Sequence, residues 1–119
     1  MVTRKNIINK TFKLLEDLRQ LGVEPVRVFL FGSYAKGNCT DNSDIDVAVW
    51  GRGFSGIRAI DIELVAPLLK FYKPIEIHTF PELTDMENPY QKEILETGID
   101  LSPYLQLMSE SGKTVIEFS

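Results

Sequence analysis

An apolar run, Val26 to Phe31, stops at Gly32-Ser33, and ten residues later a second apolar run opens with Asp44-Ile45-Asp46. This order constrains the fold more than any other feature of the chain. The first run is nearly continuous, which predicts a strand buried on both faces. In the second, residues two apart share a strand face. Asp44 and Asp46 are therefore expected to project together, about 7 Å apart along the strand. Ile45, Val47 and Val49 then enter the core on the other face. Two converging carboxylates repel each other unless a cation sits between them. Mg²⁺ suits such a place, being held by one or two carboxylates plus substrate phosphates. Gly32 lets the backbone approach a ligand closely, and Ser33 is expected to open a short helix whose free N–H groups favour phosphate. Alone, a Gly-Ser is usually a turn and an Asp-x-Asp usually a solvated strand face. Their ordered combination points to a site.

The rest of the chain supplies helices around these strands, in the order αβαβαβα. Ile7, Ile8, Thr11, Leu14, Leu15, Leu18 and Leu21 recur with helical spacing, and Gly22 sits where a C′ glycine ends a helix. Ile57 to Tyr72 predicts a helix with Ile57, Ile60, Leu64, Leu68 and Phe71 in one buried stripe, kinked or broken near residues 63–66 by Pro67. Ile75 to Phe80 reads as a third strand. Asn88-Pro89-Tyr90-Gln91 combines an N-cap residue, a proline at N1 and an amide at N3, so a helix is expected to start there and end at Gly98. Ser109 to Lys113 reads as a polar loop, and Thr114 to Phe118 as either a short edge strand or a docked tail. The fold class expected is α/β (α+β): a small mixed sheet of three to four strands flanked by helices, in one domain over 1–119 with its core at about 26–101.

Composition narrows the function classes. With 13 basic and 17 acidic residues the net charge is −4, and no basic cluster extends beyond Arg4-Lys5. Nucleic-acid binders carry a basic footprint, so a polymerase gripping a long duplex is disfavoured and no strong nucleic-acid binding is expected. No apolar run approaches a membrane span or a signal-peptide core. A single cysteine, Cys39, excludes an intrachain disulfide and fits a reducing compartment, so a cytoplasmic location is expected.

The Gly32-Ser33 turn, the ten residues Tyr34 to Ser43 and the Asp44-x-Asp46 pair resemble the nucleotidyltransferase superfamily of the DNA polymerase β type, in its smallest form, the minimal nucleotidyltransferase domain. The resemblance covers about residues 26–101. It implies nucleotidyl transfer: an acceptor hydroxyl attacks the α-phosphate of ATP or another nucleoside triphosphate, and pyrophosphate leaves. It also implies two Mg²⁺ ions, with Mn²⁺ as a substitute, held by Asp44, Asp46 and a third carboxylate. That third carboxylate maps to Glu76 in Pro74-Ile75-Glu76-Ile77-His78, one methylene longer than the aspartate of the commonest pattern. Glu76 is expected to bind the acceptor-side ion and to take the hydroxyl proton as general base. Gly32 and Ser33 would hold the β- and γ-phosphates, with Lys36 at the mouth of the same site.

Minimal domains of this kind are commonly paired with a small helical HEPN protein, as the antitoxin of a toxin–antitoxin module, and transfer AMP onto a tyrosine of the toxin. A HEPN-type partner and a hetero-oligomer are the corresponding expectations. Two other readings stand beside this one. The first is a non-catalytic module that neutralises its partner by occlusion. The second is a stand-alone transferase acting on a small hydroxylated molecule such as an aminoglycoside. Four further residues carry ordinary expectations. His78, the only histidine, shares a strand face with Glu76 and reads first as a surface or packing residue. Trp50 and Tyr34 read as packing residues, and Lys36 is as well explained by solvation as by a phosphate.

Overall fold

The structure is a computed structural model, and it describes residues 4–37, 44–84 and 87–108. The elements are α1 (Arg4–Gln20), β1 (Glu24–Phe31), α2 (Gly32–Ala35), β2 (Ile45–Arg52), α3 (Arg58–Leu69), β3 (Ile75–Pro81), α4 (Pro89–Thr97), β4 (Ile99–Asp100) and a 3₁₀ helix (Ser102–Leu107). The four strands form one mixed sheet in the order β3-β2-β1-β4. β1 runs antiparallel to both β2 and β4, whereas β2 and β3 are parallel and joined through α3. The expected mixed α+β sheet flanked by helices is what forms. Cys39, the polar loop at 109–113 and the edge strand or tail at 114–118 lie outside the described residues. The edge of β1 is instead occupied by the two-residue β4, a strand too short to leave a periodic signal.

Alternation along the strands builds two apolar layers. Val28 and Leu30 of β1 join Ile45, Val47 and Val49 of β2 in a core packed by Ile8, Leu15 and Leu18 of α1 and Val65 of α3. Phe29, Phe31, Ala48 and Trp50 project from the opposite face onto Ile94 of α4. β1 is thus buried on both faces, as its sequence predicts. Full burial of side chains of this size contributes about 1.5–3 kcal/mol each. On β2 the alternation puts Asp46 on the α4 side with Ala48 and Trp50, where the apolar layer runs out.

Local chemistry fixes the helix ends. At the end of α1 the Val23 N–H donates to the Leu18 carbonyl and the Gly22 N–H to that of Arg19, both at 3.0 Å. Gly22 has φ 92°, the left-handed conformation such a terminator needs. At the start of α4 the Asn88 side chain accepts from the backbone N–H groups of Tyr90 and Gln91. Gln91 does not complete a reciprocal cap. It is buried, accepts from the Trp50 indole N–H at 3.0 Å and donates to Thr84 Oγ1 at 2.9 Å. Trp50 is therefore a core residue, stacked on Phe80 at 4.8 Å. Replacing Gln91 by leucine should cost about 1–3 kcal/mol, because a buried donor loses its acceptor. Adding Trp50→Phe to that variant should not double the loss. Urea unfolding of the single and double variants measures the coupling.

α3 departs from the expectation in two ways. The helix continues through Pro67 to Leu69 without a break. The donor Pro67 lacks would have reached the Glu63 carbonyl on the exposed side of the helix, where water can replace it. Of the expected stripe, only Leu64 and Leu68 pack against the main core. Ile57, Ile60 and Phe71 are 57%, 53% and 75% exposed, while Asp61 and Val65 are buried. Asp61 faces inward because its carboxylate accepts from Ser55 N and Oγ and from Gly56 N, at 2.8–3.0 Å. A buried carboxylate with three donors is satisfied and can share the inner face of α3 with Leu64, Val65 and Leu68. Among the described residues no helix is long and apolar enough to cross a membrane.

Candidate functional site: a carboxylate and imidazole cluster beside Gly32

Asp46 lies opposite Phe31 of β1 and beside Glu76 of β3. The register with β3 is pinned at its start, where the Ile45 N–H donates to the Pro74 carbonyl at 2.8 Å. Parallel pairing of equivalent residues sends both carboxylates to the same face. Two residues on, His78 pairs with Ala48 and follows Glu76 on that face. One ligand atom from each of Asp46, Glu76 and His78 lies within 4.8 Å of the others.

Each oxygen of the Asp46 carboxylate meets a specific neighbour. Oδ1 is 3.1 Å from His78 Nε2. Oδ2 rests over the Gly32 Cα, where an added Cβ would lie 2.3 Å from it. Gly32 also has φ 70°, so both space and backbone conformation require glycine there. The His78 ring is held edge-on to Phe31 at 4.8 Å, and its Nδ1 is 3.1 Å from Tyr90 Oη. A carboxylate only accepts, so Nε2 carries the hydrogen and donates to Asp46. In the neutral ring Nδ1 then accepts from the Tyr90 hydroxyl. Partial burial, and next the negative charge of Asp46, raise the Tyr90 pKa, against an opposing pull from Arg58. The phenol keeps its proton and can serve this chain of hydrogen bonds.

Three depressions are lined by members of the cluster or by their immediate neighbours. One, of about 190 Å³, is lined by Gly32, Lys36, Tyr90 and Glu93. A second, of about 340 Å³, runs between α3 and α4 and includes Arg58, His78, Phe80 and Tyr90. The third, of about 350 Å³, is bordered by Asp44, Lys73 and Glu76.

The residues singled out in the sequence distribute around this centre. Asp46 and Glu76 are in it, and Gly32 is packed against it. Asp44 is exposed, precedes β2 rather than belonging to it, and borders the depression that Glu76 shares. It is not a member of the three-residue group. Ser33 is half-buried in the short α2, next to Gly32. Lys36 lies 3.8 Å from Glu93 in a half-exposed ion pair. Tyr34 packs against the main core. His78 and Tyr90 are the residues that the sequence did not bring forward. The parity of His78 with Glu76 was visible in it, but the contact of Tyr90 depends on how α4 docks.

Two carboxylates and an imidazole at this separation are donors that suit a divalent cation. Asp46 and Glu76 offer hard oxygen donors, and the closeness of Asp46 to the cluster depends on Gly32 having no Cβ.

Comparison with known proteins agrees with this chemistry. No curated protein shows significant similarity to the chain. A protein of Sulfolobus solfataricus, provisionally described as a nucleotidyltransferase from its crystal structure, is 16% identical, with 99% of each chain covered and a TM-score of 0.49. Family membership rests on a different match. Residues 12–101 of the 119 fit the nucleotidyltransferase domain family, a span that holds Gly32, Asp46, Glu76, His78 and Tyr90. The chain belongs to the nucleotidyltransferase domain family.

Proposed function

We propose that the protein transfers a nucleoside monophosphate, AMP from ATP, onto a tyrosine hydroxyl of a HEPN-type helical partner, and acts as its antitoxin. One observation supports the transfer above all. Asp46 and Glu76 are held side by side on parallel strands, and the missing side chain of Gly32 makes the room that the Asp46 carboxylate occupies. Asp46 and Glu76, with Asp44 at the rim, would hold Mg²⁺ or Mn²⁺, which when bound offsets charge on the transferring phosphoryl group.

The chain's own residues supply the rest. Gly32 and Ser33 offer backbone and hydroxyl groups to phosphate. Lys36 lies on the same side, its partner Glu93 only loosely engaged at 3.8 Å. Glu76, exposed at its depression, is placed to accept the acceptor's proton. The cleft containing Arg58, Phe80 and Tyr90 offers apolar walls and a cation beside the cluster, a surface suited to an aromatic acceptor. A net charge of −4 supports a protein acceptor over a polyanion, whose binding rests on lysine and arginine contacts.

Incubation with the neighbour-encoded helical partner, ATP and Mg²⁺ should add the mass of one AMP to that partner. The adduct should vanish with the Asp44→Asn, Asp46→Asn double variant. Intact-mass spectrometry showing no adduct, with the partner still tightly bound, would overturn the transfer reading and leave occlusion. Labelling of an aminoglycoside instead of the partner would replace the antitoxin role with a stand-alone transferase.

A further inference from the structure

The cluster contains a donor that a carboxylate motif does not anticipate. We infer that His78 is a nitrogen ligand of the cation held at Asp46 and Glu76, so that the site takes Mn²⁺ in preference to Mg²⁺. This rests on the proposed transfer reaction only for the presence of a cation at all. The ligand set and the choice of ion are what it adds.

The argument begins with position. A ring nitrogen of His78 lies within 4.8 Å of carboxylate oxygens from both Asp46 and Glu76. The imidazole reaches there from the same face of the same strand as Glu76, edge-on to Phe31 and only 17% exposed. Nε2 is the nitrogen turned toward Asp46, and Nδ1 is the one turned toward Tyr90.

A neutral imidazole carries one hydrogen, on either nitrogen. With it on Nε2, the ring donates to Asp46 and accepts from Tyr90. With it on Nδ1, the ring donates to Tyr90 Oη, and the Nε2 lone pair is turned toward Asp46. A tyrosine hydroxyl both donates and accepts, so the same Tyr90 contact serves either tautomer. Histidines that ligate metals characteristically give their second ring N–H to such a partner, which fixes ring and tautomer. The second tautomer, adopted when a cation takes the place of the hydrogen between Nε2 and Asp46, has that arrangement.

The choice of ion follows from the donors. Mg²⁺ takes oxygen ligands and dehydrates reluctantly. Imidazole nitrogen suits first-row transition ions rather than Mg²⁺, and Mn²⁺ is the one among them that shares the Mg²⁺ preference for carboxylate and water oxygens. One nitrogen among the ligands therefore tilts the site away from Mg²⁺.

The test uses the full chain without a histidine tag, loaded with Mn²⁺ alone. His78 is the only histidine of the chain, so an imidazole ¹⁴N coupling to bound Mn²⁺ in pulsed electron paramagnetic resonance has a single source. The coupling is expected in the native protein, is expected to change to a ¹⁵N pattern after histidine labelling, and is expected to be lost in His78→Gln. Calorimetry should show the Mn²⁺-to-Mg²⁺ affinity ratio falling by about tenfold or more in His78→Gln, the scale of losing a ligand-sphere contact. Bound Mn²⁺ without nitrogen coupling would overturn the inference, leave His78 as a residue that orients Asp46, and leave the transfer reading intact. Coupling in a protein that transfers nothing would support the inference and sink the transfer reading. Failure to bind either ion would overturn both.

Discussion

Alanine at position 32 should silence nucleotidyl transfer while the fold survives. The added Cβ would sit 2.3 Å from Asp46 Oδ2 and 3.2 Å from its Cγ. The carboxylate has to move by something near 1 Å to relieve that contact, and a misplacement of that size costs about a hundredfold in rate. The backbone adds a separate penalty, because φ 70° is left-handed and costs a non-glycine residue about 1–2 kcal/mol. Transfer of labelled AMP should thus fall by about a hundredfold or more. A thermal melt should still show one cooperative transition, a few degrees lower. An active Gly32→Ala protein would mean that Asp46 has freedom to relocate and that the glycine serves only its turn.

Asp46→Asn isolates charge from shape and should have the larger effect. Asparagine is nearly isosteric and its Oδ1 can still accept from His78 Nε2–H, so the packing around Phe31 and Gly32 survives. What disappears is the negative charge at the one residue framed by all the other members of the site. If cation-dependent stabilisation of the transferring group is worth several kcal/mol, the loss is about a thousandfold or more in rate. Mn²⁺ or Mg²⁺ with ATP should raise the melting temperature of the native protein, since a ligand that binds only the folded state stabilises it. The same addition should leave Asp46→Asn unchanged. A preserved shift in that variant would place the ion elsewhere.

The sequence carried the strand layout because that layout depends on local alternation. Val28 and Leu30 against Phe29 and Phe31, and Val47 and Val49 against Asp46 and Ala48, sort themselves by parity alone. Parity also carried Glu76 to the same face as Asp46 once the two strands were taken as neighbours. It misled in part at α3, where Leu64 and Leu68 of the apolar stripe pack inward but Ile57, Ile60 and Phe71 do not, and a buried position went to Asp61. Periodicity assigns a carboxylate to solvent, and only the three donors of Ser55 and Gly56 make its burial favourable. The Gln91–Trp50 bond and the Tyr90–His78 contact were invisible for a related reason. Each joins residues brought together by helix docking, with 41 and 12 positions between the partners. Local propensity also placed Asp44 inside β2, although the ladder begins one residue later.

β3 lies at the margin of the sheet and has β2 as its one neighbour among the described strands. Asp46, by contrast, hangs from a strand flanked on both sides. Two of the three clustered donors therefore belong to an edge strand, and the third to an internal one, which local opening reaches later. Opening of β3 carries Glu76 and His78 away together, and it also withdraws Ile75 from the main core and Phe80 from Trp50. On heating, the site is therefore expected to be lost before or together with the rest of the sheet, and not after it.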